Sequence, residues 1–310
     1  MKAVKGGPAV MLMAYGAAES TGELPGFLRD ILRGPVSKES LARATERYIR
    51  IGGCSPLCAI TRRQAQALQM RLNGGRGEAQ TRVVAAFRHS KPSIHDALRE
   101  LVEEGCTRLV ALPMTPFASL AAASGYAREL ERAAKELDPG LDTEVVGDWH
   151  DHPGLIEAFA EKLREAMKGA SPLASEETAL VYVSHSLPER LLIHGDPYTR
   201  HFEDAARAVS DSTGFDEFSL AFLGRGEAGS WLGPEANEVL VALRKAGVRR
   251  VVLCPLGYLA ENADTLYECD VECRGRAREL GLELVRAAAP DDSATLVAAL
   301  ADLVRRAPVP

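Results

Sequence analysis

The sequence predicts an α/β protein made of two similar domains, each a parallel sheet flanked by helices. Short apolar runs alternate with helical patterns along almost the whole chain, as expected for βαβ units. The two halves also resemble each other. A length of 310 residues exceeds one ordinary core and fits two domains. We expect domains at 1–168 and 169–290, joined by the polar stretch 168–178, and a helix at 291–310 that packs back on the first domain.

Each expected strand is a short apolar run, because a parallel sheet is covered on both faces. The predicted strands are Ala9–Ala14, Arg82–Phe87, Arg108–Leu112, Thr143–Val146, Ala179–Val183, Phe218–Leu223, Arg250–Cys254 and Glu283–Arg286. Apolar residues at helical spacing lie between them. Predicted helices include Ile94–Glu104, Ser119–Glu136, Leu155–Met167 and Glu235–Ala246.

An internal repeat relates the two halves. DALRELVEEGCTRLVALP (96–113) aligns without gaps on EVLVALRKAGVRRVVLCP (238–255), and AVMLMAYGAAE (9–19) aligns on ALVYVSHSLPE (179–189). The run RVVAAFRHS also lies opposite EFSLAFLGRG. The repeat therefore predicts that each strand of the first half has a counterpart in the second.

Composition excludes several classes of function. The formal charge of −6 argues against a nucleic-acid partner, which usually meets a basic face. No apolar run approaches the ~20 residues of a transmembrane helix. The repeat requires the N-terminal apolar run as a strand rather than as a signal peptide, so we expect a cytoplasmic protein. The six cysteines lack the spacing of zinc or iron–sulfur sites, and we interpret them as small buried thiols.

Three aromatic or imidazole side chains fall at predicted strand ends: Tyr15, His89 and His185. Ligands of open α/β sheets bind outside the carboxyl ends of the strands, so all three are expected to face a cleft between the halves. His185 is compatible with a structural role, with metal ligation and with general-base catalysis. Its position at the end of an apolar strand, before Ser-Leu-Pro, favours the functional roles.

An acidic stripe follows the strand predicted at 250–254. Asp264, Glu268 and Glu272 recur every four residues and so share one helix face. Such a stripe is often a solvated surface. Here it begins just beyond a strand end, and imidazole with carboxylates suits a divalent cation such as Fe(II). The stripe is then expected to carry a hydrated divalent cation inward.

These residues belong to blocks that resemble one known family, the ferrochelatases, which insert Fe(II) into porphyrins. The blocks occur in the family's order across nearly the whole chain: MAYG (13–16), ERYIRIGGCSPLCAIT (46–61), FRHSKPSIHDAL (87–98), VSHSLPE (183–189), HGDPY (194–198), SWLGPE (230–235) and PLGYLAENADTLYECDVEC (255–273). The resemblance implies a chelatase-type fold of two Rossmann-like domains with a cleft between them. The tyrosine in MAYG makes this block similar to that of the ferrochelatases that act on coproporphyrin III.

The resemblance also implies roles for particular residues. His185 matches the family's active-site histidine, a metal ligand and acceptor of pyrrole protons, and Asp264 stands where the family has its catalytic glutamate. Glu268 and Glu272 continue the metal-binding line. The positions that match porphyrin-binding residues are Tyr15, Arg47, Tyr48, Ser55, His89 and Tyr126.

The resemblance further implies porphyrin and Fe(II) as the partners, with Fe(II) a substrate. It implies no tightly bound cofactor and no iron–sulfur cluster, because the chain lacks the C-terminal extension that carries cluster cysteines in some relatives. That extension supports dimerisation in some relatives, so we expect a monomer.

Several positions depart from the family pattern around the expected cleft. Asp264 replaces a glutamate that is longer by ~1.5 Å, Asn262 replaces a histidine, and Leu223-Gly224 replaces a glutamine-serine pair. Two alternatives to a coproporphyrin III ferrochelatase therefore stay open. One is a diverged chelatase for another metal or tetrapyrrole, and the other is a non-catalytic porphyrin- or haem-binding protein.

Overall fold

The computed structural model describes residues 7–74, 81–117, 119, 123–169, 177–226 and 229–307. The chain forms two compact units: Met1–Trp149 with Asp291–Pro310, and His150–Pro290. This division falls earlier than the expected boundary at 168, because helix Pro153–Met167 packs against helix Tyr198–Thr213 of the second unit. The C-terminal helix, Ala294–Arg306, packs on helix Leu57–Asn73 of the first unit.

Each unit contains a four-stranded, fully parallel sheet. The order in the first unit is β2-β1-β3-β4, and in the second it is β6-β5-β7-β8. The strands are β1 (Pro8–Ala14), β2 (Arg82–Phe87), β3 (Arg108–Pro113), β4 (Asp142–Val145), β5 (Thr178–His185), β6 (Phe218–Leu223), β7 (Arg250–Cys254) and β8 (Glu283–Arg286). The two sheets have the same topology when each strand is matched with the fourth strand after it, which confirms the predicted repeat.

Helices cover the sheets. In chain order, the α-helices are α1 (Leu24–Leu32), α2 (Lys38–Arg50), α3 (Leu57–Asn73), α4 (Ile94–Glu103), α5 (Ala123–Leu137), α6 (Pro153–Met167), α7 (Tyr198–Thr213), α8 (Ala236–Lys245), α9 (Arg274–Leu280) and α10 (Ala294–Arg306). A π-helix spans Thr265–Cys273, and short 3₁₀ helices span Thr21–Glu23 and Glu189–His194. Together these elements confirm two Rossmann-like domains.

The central strands are buried on both faces, as their apolar sequences predict. Met11, Leu12 and Met13 of β1 are inaccessible to solvent, and so are Tyr182 and Val183 of β5. Burial of one such side chain stabilises a fold by about 1.5–3 kcal/mol. Each sheet therefore has its own hydrophobic core.

The repeat extends to the helices α4 and α8, which precede the third strand of the first and of the second unit, respectively. Ser93 and Glu235 form capping boxes at the starts of α4 and α8, which satisfy backbone N–H groups there. Gly105 and Gly247 follow the two helices with φ of 86° and 93°. Glycine adopts this left-handed conformation without the steric penalty of a side chain, and so ends both helices at matching positions.

The interpretation of the cysteines as buried thiols is confirmed at five of the six positions, while Cys54 is exposed. Cys54 follows Gly52-Gly53, a turn that leaves its side chain outside the core. Within the residues that the structure describes, none of the helices combines the length and the apolar composition that crossing a bilayer requires.

Candidate active site

The end of strand β5 presents one side chain inward and the next outward. Ser184 is fully buried, whereas the side chain of His185 is 44% exposed. Tyr198, at the start of α7, holds this strand end in place. Its hydroxyl donates to the carbonyl oxygen of His185 at 2.9 Å and lies 2.5 Å from the Ser184 hydroxyl. The imidazole is therefore attached to a backbone that hydrogen bonds fix in position.

The ring of His185 lies over Gly224, the residue that follows strand β6. Gly224 has φ of +71°, and a Cβ built on it would be 2.3 Å from Cε1 of His185. No side chain fits in that space. The glycine therefore allows both the backbone turn and the close approach of the imidazole.

Where the sequence predicts an ordinary helix, the acidic stripe lies along a π-helix, from Asp264 just before its start to Glu272 near its end. Asn262 starts it: the backbone N–H of Asp264 donates to the Asn262 side-chain oxygen at 2.8 Å. The Asn262 side-chain N–H₂ donates in turn to the carbonyl oxygen of Ala260. Asn262 thus has a capping role. π-Helices are rare and often occur at functional sites.

His185, Asp264 and Glu268 come together in this unit. Nδ1 of His185 is 3.3 Å from Oδ2 of Asp264, and Oε2 of Glu268 accepts the backbone N–H of Gly224 at 2.6 Å. Glu272 is exposed, toward the C-terminal end of the π-helix. An imidazole beside a carboxylate can contribute to holding a divalent cation and can accept a proton.

A buried ion pair anchors the start of the π-helix. Glu261 and Arg286 of β8 form a bidentate salt bridge, and the Glu261 carboxylate also accepts from the Thr265 hydroxyl and from the backbone N–H of Ala289. Burial is the largest single influence on Glu261 and raises its pKa. The hydrogen bonds and charge of Arg286, together with the hydrogen bonds from Thr265 and Ala289, outweigh burial, so the pKa lies below its ordinary value. Glu261 therefore stays ionised at neutral pH.

Replacing Gly224 with alanine is expected to lower any activity that depends on His185 about 10²-fold, because an added methyl group would displace the imidazole and catalytic groups tolerate little displacement. The left-handed backbone would also cost about 1–3 kcal/mol of stability. The measurements are the steady-state rate and the free energy of unfolding.

Gly214→Ala is the matched control for this substitution. Gly214 caps α7 with φ of +78°, and nothing lies within 4 Å of a Cβ built there. It should lose similar stability and keep its activity. Equal activities of the two variants would show that the contact of Gly224 with His185 has no catalytic role.

In the first unit, the structure joins Tyr15 and His89. Their rings lie 4.5 Å apart between centroids, and Nδ1 of His89 is 2.5 Å from Oδ2 of Asp30 in α1. Tyr15 is 42% exposed. An exposed aromatic face beside an imidazole can stack on a flat ring.

The other predicted porphyrin-binding residues of this unit differ in exposure. Tyr48, Ser55 and Tyr126 are buried, whereas Arg47 is half-buried. The hydroxyl of Ser55 is buried without a hydrogen-bond partner among the described residues. The Arg88 guanidinium lies 5.2 Å from the centre of the Tyr126 ring. Burial raises the pKa of Tyr126, so its hydroxyl stays protonated.

Sequence reasoning missed Tyr198 and Gly224 as supports of His185. Tyr198 stood in the quoted block HGDPY without an assigned role. In the repeat, Gly224 aligns close to the position of His89, because each follows the second strand of its half. Nothing in the sequence indicated that a side chain from β5 would fill the space above Gly224.

A histidine–carboxylate centre at the strand ends of a Rossmann-like unit defines a class of metal-handling enzymes, and comparison with known proteins specifies the family. Residues 8–307 match the family model described as Ferrochelatase. The chain belongs to the ferrochelatase family, and it is an enzyme that inserts a metal into a porphyrin in haem biosynthesis.

Similar curated proteins cover nearly the whole chain. A ferrochelatase of Thermus thermophilus is 34% identical over 96% of this chain and 98% of its own length. A ferrochelatase of Deinococcus radiodurans is 31% identical over 96% and 95%. A coproporphyrin III ferrochelatase of Anoxybacillus flavithermus is 31% identical over 95% and 94%.

Solved structures support the fold. SirB from Bacillus subtilis with Fe³⁺ superposes with a TM-score of 0.60 at 15% identity, over 97% of this chain and 95% of that chain. CbiX, described as the terminal enzyme of sirohaem biosynthesis in denitrifying bacteria, gives a TM-score of 0.52 at 14% identity, over 97% and 100%. At these identities the similarity concerns the chelatase-type fold.

Proposed function

We propose that this ferrochelatase inserts Fe(II) into coproporphyrin III to form coproheme, and that it does so as a cytoplasmic monomer without a tightly bound cofactor or iron–sulfur cluster. The pairing of His185 with Asp264 at 3.3 Å carries the proposal for metal insertion. The coproporphyrin III name of several relatives and the tyrosine in MAYG support the choice of porphyrin.

His185 acts as the proton acceptor in this proposal. Its Nδ1 faces the Asp264 carboxylate, which stabilises the protonated ring, and its Nε2 is the atom that takes protons from the pyrrole N–H groups. Metal insertion requires the loss of two such protons, and the imidazole, which is 44% exposed, passes the first to solvent before it accepts the second. The carboxylate also keeps the imidazole in one orientation, as a general base requires.

Asp264, Glu268 and Glu272 carry the hydrated cation toward the porphyrin. Oxygen ligands suit hydrated divalent cations, and His185 adds a nitrogen ligand of the kind that Fe(II) accepts. Glu268 accepts the backbone N–H of Gly224, and its carboxylate is the next oxygen ligand along this path. The exposed Glu272 is the point of entry. Fe(II) sheds its water as it moves from carboxylates to pyrrole nitrogens.

Residues of the first unit bind the porphyrin. Tyr15 and His89 offer ring faces to the macrocycle. Arg47 supplies charge to the propionates, while Tyr48, Ser55 and Tyr126 shape the surrounding wall. The buried hydroxyl of Ser55 is a donor suited to a propionate, because its own protein surroundings leave it unsatisfied among the described residues.

An anaerobic assay with Fe(II) tests the proposal by comparing coproporphyrin III with protoporphyrin IX. We expect kcat/KM to be at least about tenfold higher for coproporphyrin III, a difference of about 1.4 kcal/mol in transition-state binding. The measurement is the loss of porphyrin fluorescence with the growth of the haem spectrum. A preference for protoporphyrin IX, or for another metal or tetrapyrrole, would overturn the proposed specificity.

A further inference from the structure

Tyr258 has a buried hydroxyl that the fold leaves unsatisfied. Its backbone N–H closes the turn after β7 by donating to the carbonyl oxygen of Pro255, and its ring packs against the core of the second unit. The hydroxyl oxygen is inaccessible to solvent and has no hydrogen-bond partner among the described residues. Such a group costs free energy, and phenylalanine would pack without that cost.

Two other buried tyrosines of this unit have partners. The hydroxyl of Tyr182 lies 3.0 Å from the Ser210 hydroxyl, and Tyr198 bonds to Ser184 and His185. Among these three tyrosines, only Tyr258 has a hydroxyl without a hydrogen-bond partner among the described residues.

The charged groups around Tyr258 indicate a role for its hydroxyl. Burial raises its pKa well above the ordinary value, and the charges of Asp264 and then Glu268 raise it further. The phenol is therefore a neutral proton donor, and the two carboxylates that act on it electrostatically are its candidate acceptors. In this structure the Asp264 carboxylate lies beside His185, and the Glu268 carboxylate accepts the backbone N–H of Gly224.

We propose that Tyr258 is a positioning residue of the metal site, whose hydroxyl donates to the Asp264 carboxylate when a divalent cation is bound. The inference rests on the proposed metal-binding role of Asp264. A bound cation would take up one oxygen of the Asp264 carboxylate, and the phenol would hold the carboxylate by donating to it. Hydrogen bonds of this kind orient ligating carboxylates, and their loss typically weakens metal affinity or activity about 10–100-fold.

Tyr258→Phe tests this role. We expect KM for Fe(II) to rise about tenfold while KM for the porphyrin stays unchanged. Titration of the porphyrin-free protein with Co(II) should show the same loss of affinity. The metal-free variant should melt at or above the wild-type temperature, because an unsatisfied hydroxyl has been removed. A lower melting temperature with unchanged KM for Fe(II) would assign the hydroxyl a structural role and overturn the proposal.

Two further variants separate the possible failures. Tyr182→Phe removes a satisfied hydroxyl from the same unit and should lower stability without changing Co(II) affinity. Asp264→Ala should lose Co(II) binding. If Asp264→Ala still binds Co(II) normally, the proposed metal role of Asp264 fails. If Asp264→Ala loses binding and Tyr258→Phe matches the wild type, only the positioning role of Tyr258 fails.

Discussion

Replacing His185 with alanine is expected to reduce iron insertion about 10³-fold, the range that a general acid–base group contributes, and to leave porphyrin binding within a fewfold of wild type. The physical reason is that the imidazole faces Asp264 and is the nitrogen base of the cluster that the structure builds around Gly224 and the π-helix. The measurements are the anaerobic insertion rate and the quenching of porphyrin fluorescence on binding.

His95→Ala is the control for the loss of an imidazole. His95 lies on α4, 3.6 Å from Glu136, outside the proposed site. That variant should insert iron at the wild-type rate. If His185→Ala retained most of its activity with the fold intact, the role assigned to His185 as proton acceptor and ligand would be wrong.

Replacing Arg286 with methionine is expected to cost about 3–5 kcal/mol of stability, because it leaves the Glu261 carboxylate buried without its counter-charge. Both side chains are largely shielded from solvent, at 8% and 14% exposure. The same change removes the anchor at the start of the π-helix, so activity should fall with stability. Denaturant titration measures the free energy of unfolding.

Arg249→Met is the matched control for this loss. Arg249 pairs with Glu177 in the same unit, but the side chains are 60% and 34% exposed. Exposed pairs contribute about 0–1 kcal/mol. Similar losses of unfolding free energy in the two variants would show that the buried pair stabilises the fold no more than the exposed pair does. A double replacement, Glu261→Gln with Arg286→Met, should recover much of the stability, since no unpaired buried charge remains.

The same pair gives the fold an acid sensitivity with a definite sign. The folded-state pKa of Glu261 lies below its unfolded value, so its stabilising contribution is present above the unfolded value of about 4.3. It is lost as the pH falls through the folded value. Wild-type protein should therefore lose more stability than Glu261→Gln when the pH is lowered through this range.

The hydrophobic pattern predicted the sheets closely. The observed bounds of β2, β6, β7 and β8 equal the predicted ones. Strand β5 is longer than predicted, because Ser184 and His185 continue the ladder beside Phe222 and Leu223. Backbone hydrogen bonds do not depend on side-chain polarity, so an apolar pattern ends before the strand does. Helix α5 spans Ala123–Leu137; Ser119, its predicted first residue, is not helical, and residues 120–122 lie outside the described part of the chain.

The spacing of acidic residues predicted a shared face but not the kind of helix. Asp264 lies 3.3 Å from His185, and Glu268 accepts the backbone N–H of Gly224, over which the His185 ring lies. The π-helix was not predicted, because residues four apart stay close on both helix types. The interpretation of Asn262 also changed. Its side chain caps the helix, a role that depends on the backbone conformation at residues 262–265.

The sequence by itself determined the α/β class, the repeat, the strand ends that carry His89 and His185, and the family of the chain. Local periodicity and short motifs predict these features, because both depend only on neighbours along the chain. Only the tertiary structure decided that Gly224 lies beneath His185, that Arg286 anchors Glu261, and that the Tyr258 hydroxyl lacks a partner among the described residues. The physical reason is that each of these contacts, or missing contacts, depends on side-chain packing between segments far apart in sequence, which local periodicity does not specify.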